Sequence, residues 1–240
     1  MTARSQPVSS LPERVGTLRV SARHLHSAGV APSQRSHAGA GGDVYGVVES
    51  PFGTRLLMGD VMGKGHELAR TADSVLRAWR DLAVCEARLE GVAVRLHALV
   101  AHSDEPDRFV TATLLSVEAD GSAQLVCCGH PPPVLLRDGA AVHAAVPAPA
   151  PPLGLLDLHS GWCAAQPVPA TAWECMLLYT DGVSEARDAR GVFYPLAERA
   201  AVLPNADLDD FTDALAADLL RHAEGGLQDD ASLLAVRSAA

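Results

Sequence analysis

The most constraining feature of this chain is the stretch Gly59-Asp60-Val61-Met62-Gly63-Lys64-Gly65, together with what flanks it. The run Thr54 to Met58 reads as a short buried strand, and from His66 onward apolar residues recur at helical spacing. An acidic residue therefore sits where a strand ends, followed by glycines that permit a tight turn. A carboxylate there projects from a rigid scaffold, where metal and catalytic groups tend to sit. Three further acidic points have the same setting. Asp43 opens an apolar segment after Gly41-Gly42. Asp181 closes the run Met176 to Tyr179 and precedes Gly182. Asp229-Asp230 stands directly before the last apolar run. Any one such aspartate is an ordinary turn former. All four together predict a fold that gathers them around divalent cations, because hard cations such as magnesium and manganese prefer oxygen ligands. Glycine lets the main chain approach closely, so a carbonyl such as that of Val61 can join the ligand set. Two cations about 3.5 to 4 Å apart can hold a bridging water, lower its pKa and stabilise in-line attack at phosphorus.

Bulk properties narrow the function classes. The 240 residues suit one large domain with a sizeable core. A formal net charge of −10 argues against nucleic acid or an anionic membrane as partner. The five cysteines (Cys85, Cys127, Cys128, Cys163 and Cys175) are odd in number and lack CxxC spacing, so neither a disulfide framework nor a zinc site is expected. Cys127 and Cys128 lie in a strand-like run and should face opposite sides of it. Buried thiols, the lack of a signal-peptide pattern and the lack of about 18 consecutive apolar residues predict a cytoplasmic protein with no membrane span.

Along the chain, residues 1 to 16 are polar and rich in proline and predict a mobile tail, with a single domain over 17 to 240. Strands are expected at 18–22, 44–48, 54–58, 109–118, 122–128, 134–137, 140–143, 173–179 and 232–236. Asp120-Gly121 and Asp138-Gly139 mark hairpins. Residues 27–42 and the Pro/Ala-rich stretch 144–152 read as loops, the latter extended on the surface. Leu68, Ala72, Val75, Leu76, Trp79, Leu82 and Ala83 define one helix face; Leu89, Val92, Leu96, Leu99 and Val100 define a second. A short helix is expected at 195–203. Asp207 is the expected N-cap of a helix over about 208–223, with Gly225 past its end. Antiparallel hairpins with helices in separate blocks predict an α+β fold.

At this point the sequence resembles the metal-dependent type 2C (PPM) serine/threonine phosphatases, in their bacterial SpoIIE/RsbU-like branch. The matching segments are GGDVYG (41–46), GDVMGKG (59–65), RFVTATLLSV (108–117), CGHPPPVLLRDG (128–139), PPLGL (151–155), LLYTDGVSEARD (177–188) and QDDASLLAV (228–236). The resemblance implies a four-layer αββα sandwich, two antiparallel sheets flanked by helices, with two Mn2+ or Mg2+ ions at one end. It implies that Asp60 bridges the metals with help from the Val61 carbonyl, and that Asp181 and Asp229, rather than Asp230, complete one shell. Asp43 matches an acidic position near the second metal. Asp60 and Asp181 are the residues on which catalysis would depend. Gly46 departs from the pattern, since many relatives carry an acid there, and so bears on the ligand or water network. No sensory segment precedes residue 18, so control through a fused sensor is not expected. The two helices after Gly65 are instead the expected place for a regulatory partner or a homodimer contact.

The substrate implied is a phosphoserine or phosphothreonine protein, by analogy a STAS-type anti-sigma-factor antagonist. The competing class is a catalytically inactive phosphatase-fold module that acts by binding a regulatory partner. Retention of all four aspartates favours the enzyme. Gly63-Lys64 is not a nucleotide phosphate loop, because position 58 is Met and position 65 is Gly. No HExxH motif occurs. His130, in a Gly-His-Pro turn, reads as structural rather than as a general acid. Lys64 and His66 flank the acidic turn and read as solvated charge.

Overall fold

Strands that are apolar on both faces form two sheets, each with one face toward the other sheet and one toward helices. The computed structural model describes residues 6–7, 11–27, 42–63, 66–103, 108–155, 163–224 and 226–238. In chain order the elements are β1 (Gln6–Pro7), β2 (Arg14–Val15), β3 (Leu18–Leu25), β4 (Asp43–Ser50), β5 (Gly53–Val61), α1 (His66–Cys85), α2 (Leu89–Ala101), β6 (Val110–Val117), β7 (Ala123–Cys128), β8 (Val134–Arg137) and β9 (Ala140–His143). They continue with β10 (Gln166–Val168), a 3-10 turn (Ala170–Ala172), β11 (Cys175–Tyr179), α3 (Asp181–Ser184), α4 (Leu196–Val202), α5 (Leu208–His222) and β12 (Ala231–Ser238). One sheet runs β1-β3-β12-β11-β8-β9, with β2 also on β3; the other runs β10-β7-β6-β5-β4. Pairing between these strands is antiparallel throughout.

Three apolar layers hold the sandwich together. Val44, Leu57, Leu114 and Val126 face outward from the five-stranded sheet onto Ala72, Trp79, Val92 and Leu96 of α1 and α2. Tyr45, Leu56, Met58 and Leu115 face inward and meet Val20, Met176, Leu178 and Leu234 of the other sheet. That sheet's outer residues Leu25, Leu177 and Leu233 are covered by Phe211, Leu215 and Leu219 of α5. The fold is thus the expected α+β sandwich. Cys127 faces the inter-sheet layer and Cys128 the α1/α2 layer, as alternation requires. Asp207 caps α5, its carboxylate accepting the Asp209 and Asp210 N–H groups. The Asp138–Gly139 turn has φ of 50° and 75°, left-handed at both central residues as a two-residue hairpin loop requires.

Several expectations shift. Arg14–Val15 already pairs with β3 and Val15 is buried, so the sheet begins upstream of residue 17. Most of the expected 27–42 loop, and Gly225, lie outside the described residues. Strand β5 continues through Asp60 and Val61, because Asp60 is paired on both sides, with Asp43 and with Thr111. The 144–152 stretch is tied down: the Ala150 N–H donates to Cys127 O at 2.8 Å, and Ala144 and Ala150 are buried. Helix α2 meets the sheet through Leu89, Val92, Ala93, Leu96, His97 and Val100, which leaves Leu99 exposed. Buried Arg55 of β5 closes the turn between α1 and α2 by donating to the carbonyls of Glu86 at 2.5 Å and Ala87 at 2.6 Å.

Gly46 now has a packing explanation. It faces α1, and a Cβ there would lie 2.5 Å from Cζ3 of Trp79, which is almost completely buried. A side chain at 46 points away from the inter-sheet face that carries Asp43 and Asp60, so the indole has taken the space. Gly46→Ala is expected to lower stability by about 1–3 kcal/mol through overpacking, measured by urea unfolding.

Candidate metal centre

Asp43 and Asp60 are direct cross-strand partners in β4 and β5. Their alternation partners Tyr45 and Met58 face the other sheet, so both carboxylates enter the inter-sheet space at one end. Beside them, the Val61 N–H donates to Gly42 O at 3.0 Å. A Cβ on Gly42 would overlap Asp60 Oδ1 and lie 2.5 Å from the Val61 carbonyl oxygen. Glycine therefore leaves that carboxylate and that carbonyl open to a third group.

Asp43 is the buried member. Its Oδ2 accepts the Ser232 hydroxyl at 2.5 Å and the Thr180 hydroxyl at 3.2 Å. The Ser232 N–H in turn donates to Thr180 Oγ1 at 2.9 Å. Thr180 and Ser232 continue the inward rows Met176–Leu178 and Val236–Leu234 of the opposite sheet. Burial pushes the Asp43 carboxyl well above the usual range, with the charges of Asp60 and Asp230 adding; the two hydroxyls oppose the shift.

Asp60 is only half-buried, yet its pKa is pushed up to about 7. Burial is the main cause, followed by the charges of Asp181, Asp229 and Asp230, against one stabilising Val61 N–H. Asp181 follows β11 at the start of α3 and is also raised, by burial and by Glu185 and Asp229. The approach of these groups depends on Gly182, where a Cβ would overlap the Asp230 carbonyl oxygen. The two backbones touch, which sets Asp181 and Asp229 side by side. They line an open cleft of about 270 Å³ with Gly182, Glu185, Ala186, Arg187 and Gln228.

Adjacent residues Asp229 and Asp230 diverge. Asp229 is exposed in the cleft, and its Oδ1 accepts the Asp230 N–H at 2.8 Å. Asp230 turns inward, is buried, and accepts the Ser27 N–H at 2.8 Å. All four sequence-selected aspartates and the Val61 carbonyl thus fall at one end of the sandwich. An array of carboxylates in which one member holds its proton to about neutral pH has excess negative charge that a divalent cation neutralises. The donor set, carboxylate and carbonyl oxygen, fits a hard cation. Lys64 and the side chain of His66 lie outside the described residues.

His130 is structural, as expected. It is buried, with Nε2–H donating to Tyr179 O at 3.0 Å and Nδ1 accepting the Thr111 hydroxyl at 2.9 Å. It therefore clasps the strand beside Asp60 to the strand that ends at Asp181. Burial lowers its pKa to about 4, so it is neutral and cannot act as an acid near pH 7. Gly42 stands beside Asp43 in the sequence, but no site role for Thr111, Thr180 or Ser232 was foreseen there. Their signal was present: Thr180 and Ser232 are polar residues at inward positions of otherwise apolar rows.

Comparison with known proteins fits this geometry. The family model described as stage II sporulation protein E (SpoIIE) matches residues 50–239. The chain belongs to that family. No curated protein matches it. Among solved structures, the RsbU and RsbW domains of a Mycobacterium tuberculosis protein align at 23% identity with a TM-score of 0.72, covering 93% of this chain and 62% of that one. The PP2C phosphatase domain with a fragment of the regulatory domain of SpoIIE from Bacillus subtilis aligns at 16% identity and TM-score 0.73, covering 92% and 62%. RsbX in complex with magnesium aligns at 12% identity and TM-score 0.66, covering 98% and 99%. The fold is that of PP2C-type phosphatase domains, and this chain spans about three-fifths of the first two structures. No helix among the described residues is long and apolar enough to cross a membrane.

The raised carboxyls set a pH dependence. Asp60 has a folded pKa of about 7, above the unfolded value of 3.8, so the native state binds an extra proton and loses stability as pH rises through about 7; Asp43, raised by burial, acts in the same direction. His130 acts oppositely, its folded pKa of about 4 lying below 6.5, but its contribution is complete above that value. Between about pH 6.5 and 8 the metal-free protein should therefore show a falling Tm. Asp60→Asn should flatten that slope, as followed by thermal melts in chelator.

Proposed function

We propose that the protein is a metal-dependent protein serine/threonine phosphatase that hydrolyses phosphoserine or phosphothreonine on a protein substrate. The observation that carries this reading is the convergence of Asp60, Asp181, Asp229 and the Val61 carbonyl at one end of the sandwich, where Gly42 and Gly182 let the backbones meet. Asp60, Asp181, Asp229 and the Val61 carbonyl would hold two Mn2+ or Mg2+ ions, with Asp43 behind them. When bound, such cations supply charge neutralisation at phosphorus and an acidified water for in-line attack. Asp43 keeps its place behind them through Ser232 and Thr180. Gly42 and Gly182 keep the centre open and close-packed. The cleft would admit a phosphorylated side chain at the protein surface; Arg187 on its wall, whose guanidinium lies 4.2 Å from the Phe193 ring centroid, would be the cation that meets the phosphate. Membership of the SpoIIE family supports a phosphorylated STAS-type anti-sigma-factor antagonist as substrate.

The test is manganese-dependent hydrolysis of p-nitrophenyl phosphate and of a panel of phosphorylated STAS domains. Asp60→Asn and Asp181→Asn should each lower turnover at least about 100-fold. Wild-type protein that binds manganese but hydrolyses neither substrate would favour a binding module. Arg187→Ala is expected to raise KM for the phosphoprotein more than it lowers kcat, measured by phosphate release.

A further inference from the structure

Beside the carboxylate centre lies a second donor cluster of different chemistry. His24 ends the inward row Leu18-Val20-Ala22 of β3, and His26 follows two residues later, so alternation sends both imidazoles the same way. Asp230 meets them from the residue before β12. One donor atom from each of the three lies within 4.8 Å of the others. The rings stand at 78° with centroids 4.5 Å apart, in van der Waals contact edge to face.

Hydrogen bonding around the cluster defines its proton positions. The Ser232 hydroxyl spends its one proton on Asp43 Oδ2, so Ser232 Oγ accepts at 2.8 Å from His24 Nδ1–H. His24 Nε2 then faces Asp230 Oδ2 at 3.8 Å. That separation is too long for a hydrogen bond. It is close to the roughly 3.4 Å that separates neighbouring ligand atoms around a tetrahedral ion with bonds of about 2.1 Å. Asp230 Oδ1 is held by the Ser27 N–H, which leaves Oδ2 to face the imidazoles. His26 Nδ1 is buried with no hydrogen-bond partner among the described residues.

We propose that His24, His26 and Asp230 form a zinc site, separate from the hard-cation centre of Asp60, Asp181 and Asp229. Two imidazoles and one carboxylate favour a borderline ion such as Zn2+ over Mg2+. The His24–Ser232–Asp43 chain orients one ligand, as outer-shell hydrogen bonds do in zinc proteins. Through the same chain, occupancy of the site is felt at Asp43. The proposal does not depend on the phosphatase reading.

The test is zinc binding by chelator-stripped protein, followed by competition with a chromogenic chelator. An Asp60→Asn background disables the carboxylate centre, so failure of the phosphatase assignment leaves this measurement interpretable. That variant should retain one Zn2+ per chain. Adding His26→Ala or His24→Gln should each weaken zinc at least about tenfold. His26 is partly exposed, so His26→Ala should keep its fold, as circular dichroism checks. Substitution with Co2+ should give a visible absorption band that His26→Ala removes. Unchanged zinc affinity in a folded His26→Ala protein, or no zinc bound to the Asp60→Asn variant, would overturn the site.

Discussion

Everything at the functional end of this molecule depends on a repulsion that the fold does not relieve. Asp43 and Asp60 are directly opposed on adjacent antiparallel strands, the arrangement that costs stability when both are charged. Asp181, Asp229 and Asp230 then converge on the same point from the other sheet. Ordinary evolution of a stable sandwich would replace several of these groups with apolar residues. Instead the structure invests in holding them: two hydroxyls on Asp43, a bare Gly42 beside Asp60, and a backbone contact at Gly182. A site that stays unfavourable without a cation is one whose stability is completed by binding one.

The sandwich divides labour between neighbouring residues through the strand period of two. Asp229 and Asp230 are chemically identical and adjacent, yet one faces an open cleft and the other enters the space between sheets. The same parity sets Arg23 against Asp213 of α5, at 2.6 Å, while His24 turns inward to Ser232. One register therefore makes one residue of a pair a helix anchor and the next a site residue. A slip of one position would exchange these roles and dismantle the site, which ties register to function here more tightly than the apolar core alone would.

How much of this was legible in the sequence follows from the range of the interactions. Element type was legible where the signal is local: the Asp207 cap, the Asp-Gly turns and the α1 face depend on residues within a few positions. The candidate aspartates were legible because each stands beside a glycine or at a strand boundary. What stayed hidden is long-range. Ser232 reaches Asp43 across 189 positions; its inward place in an apolar row marks it as unusual, but nothing local names its partner. Gly46 looked like a lost acid until Trp79 was seen to fill its place. Leu99 looked inward until the sheet fixed the phase of α2.

His130 shows how the two sheets are kept in register at the site. Asp60 belongs to one sheet and Asp181 to the end of a strand in the other, so sliding between sheets would change their separation directly. The imidazole binds Thr111 beside Asp60 and the Tyr179 carbonyl two residues before Asp181. Because burial keeps it neutral, it donates through one nitrogen and accepts through the other, and no charge is added to the crowded carboxylates. A lysine or arginine there would partly neutralise Asp60 and compete with a cation for it. A neutral ring with one donor and one acceptor fixes the distance and leaves the electrostatic demand of the centre intact.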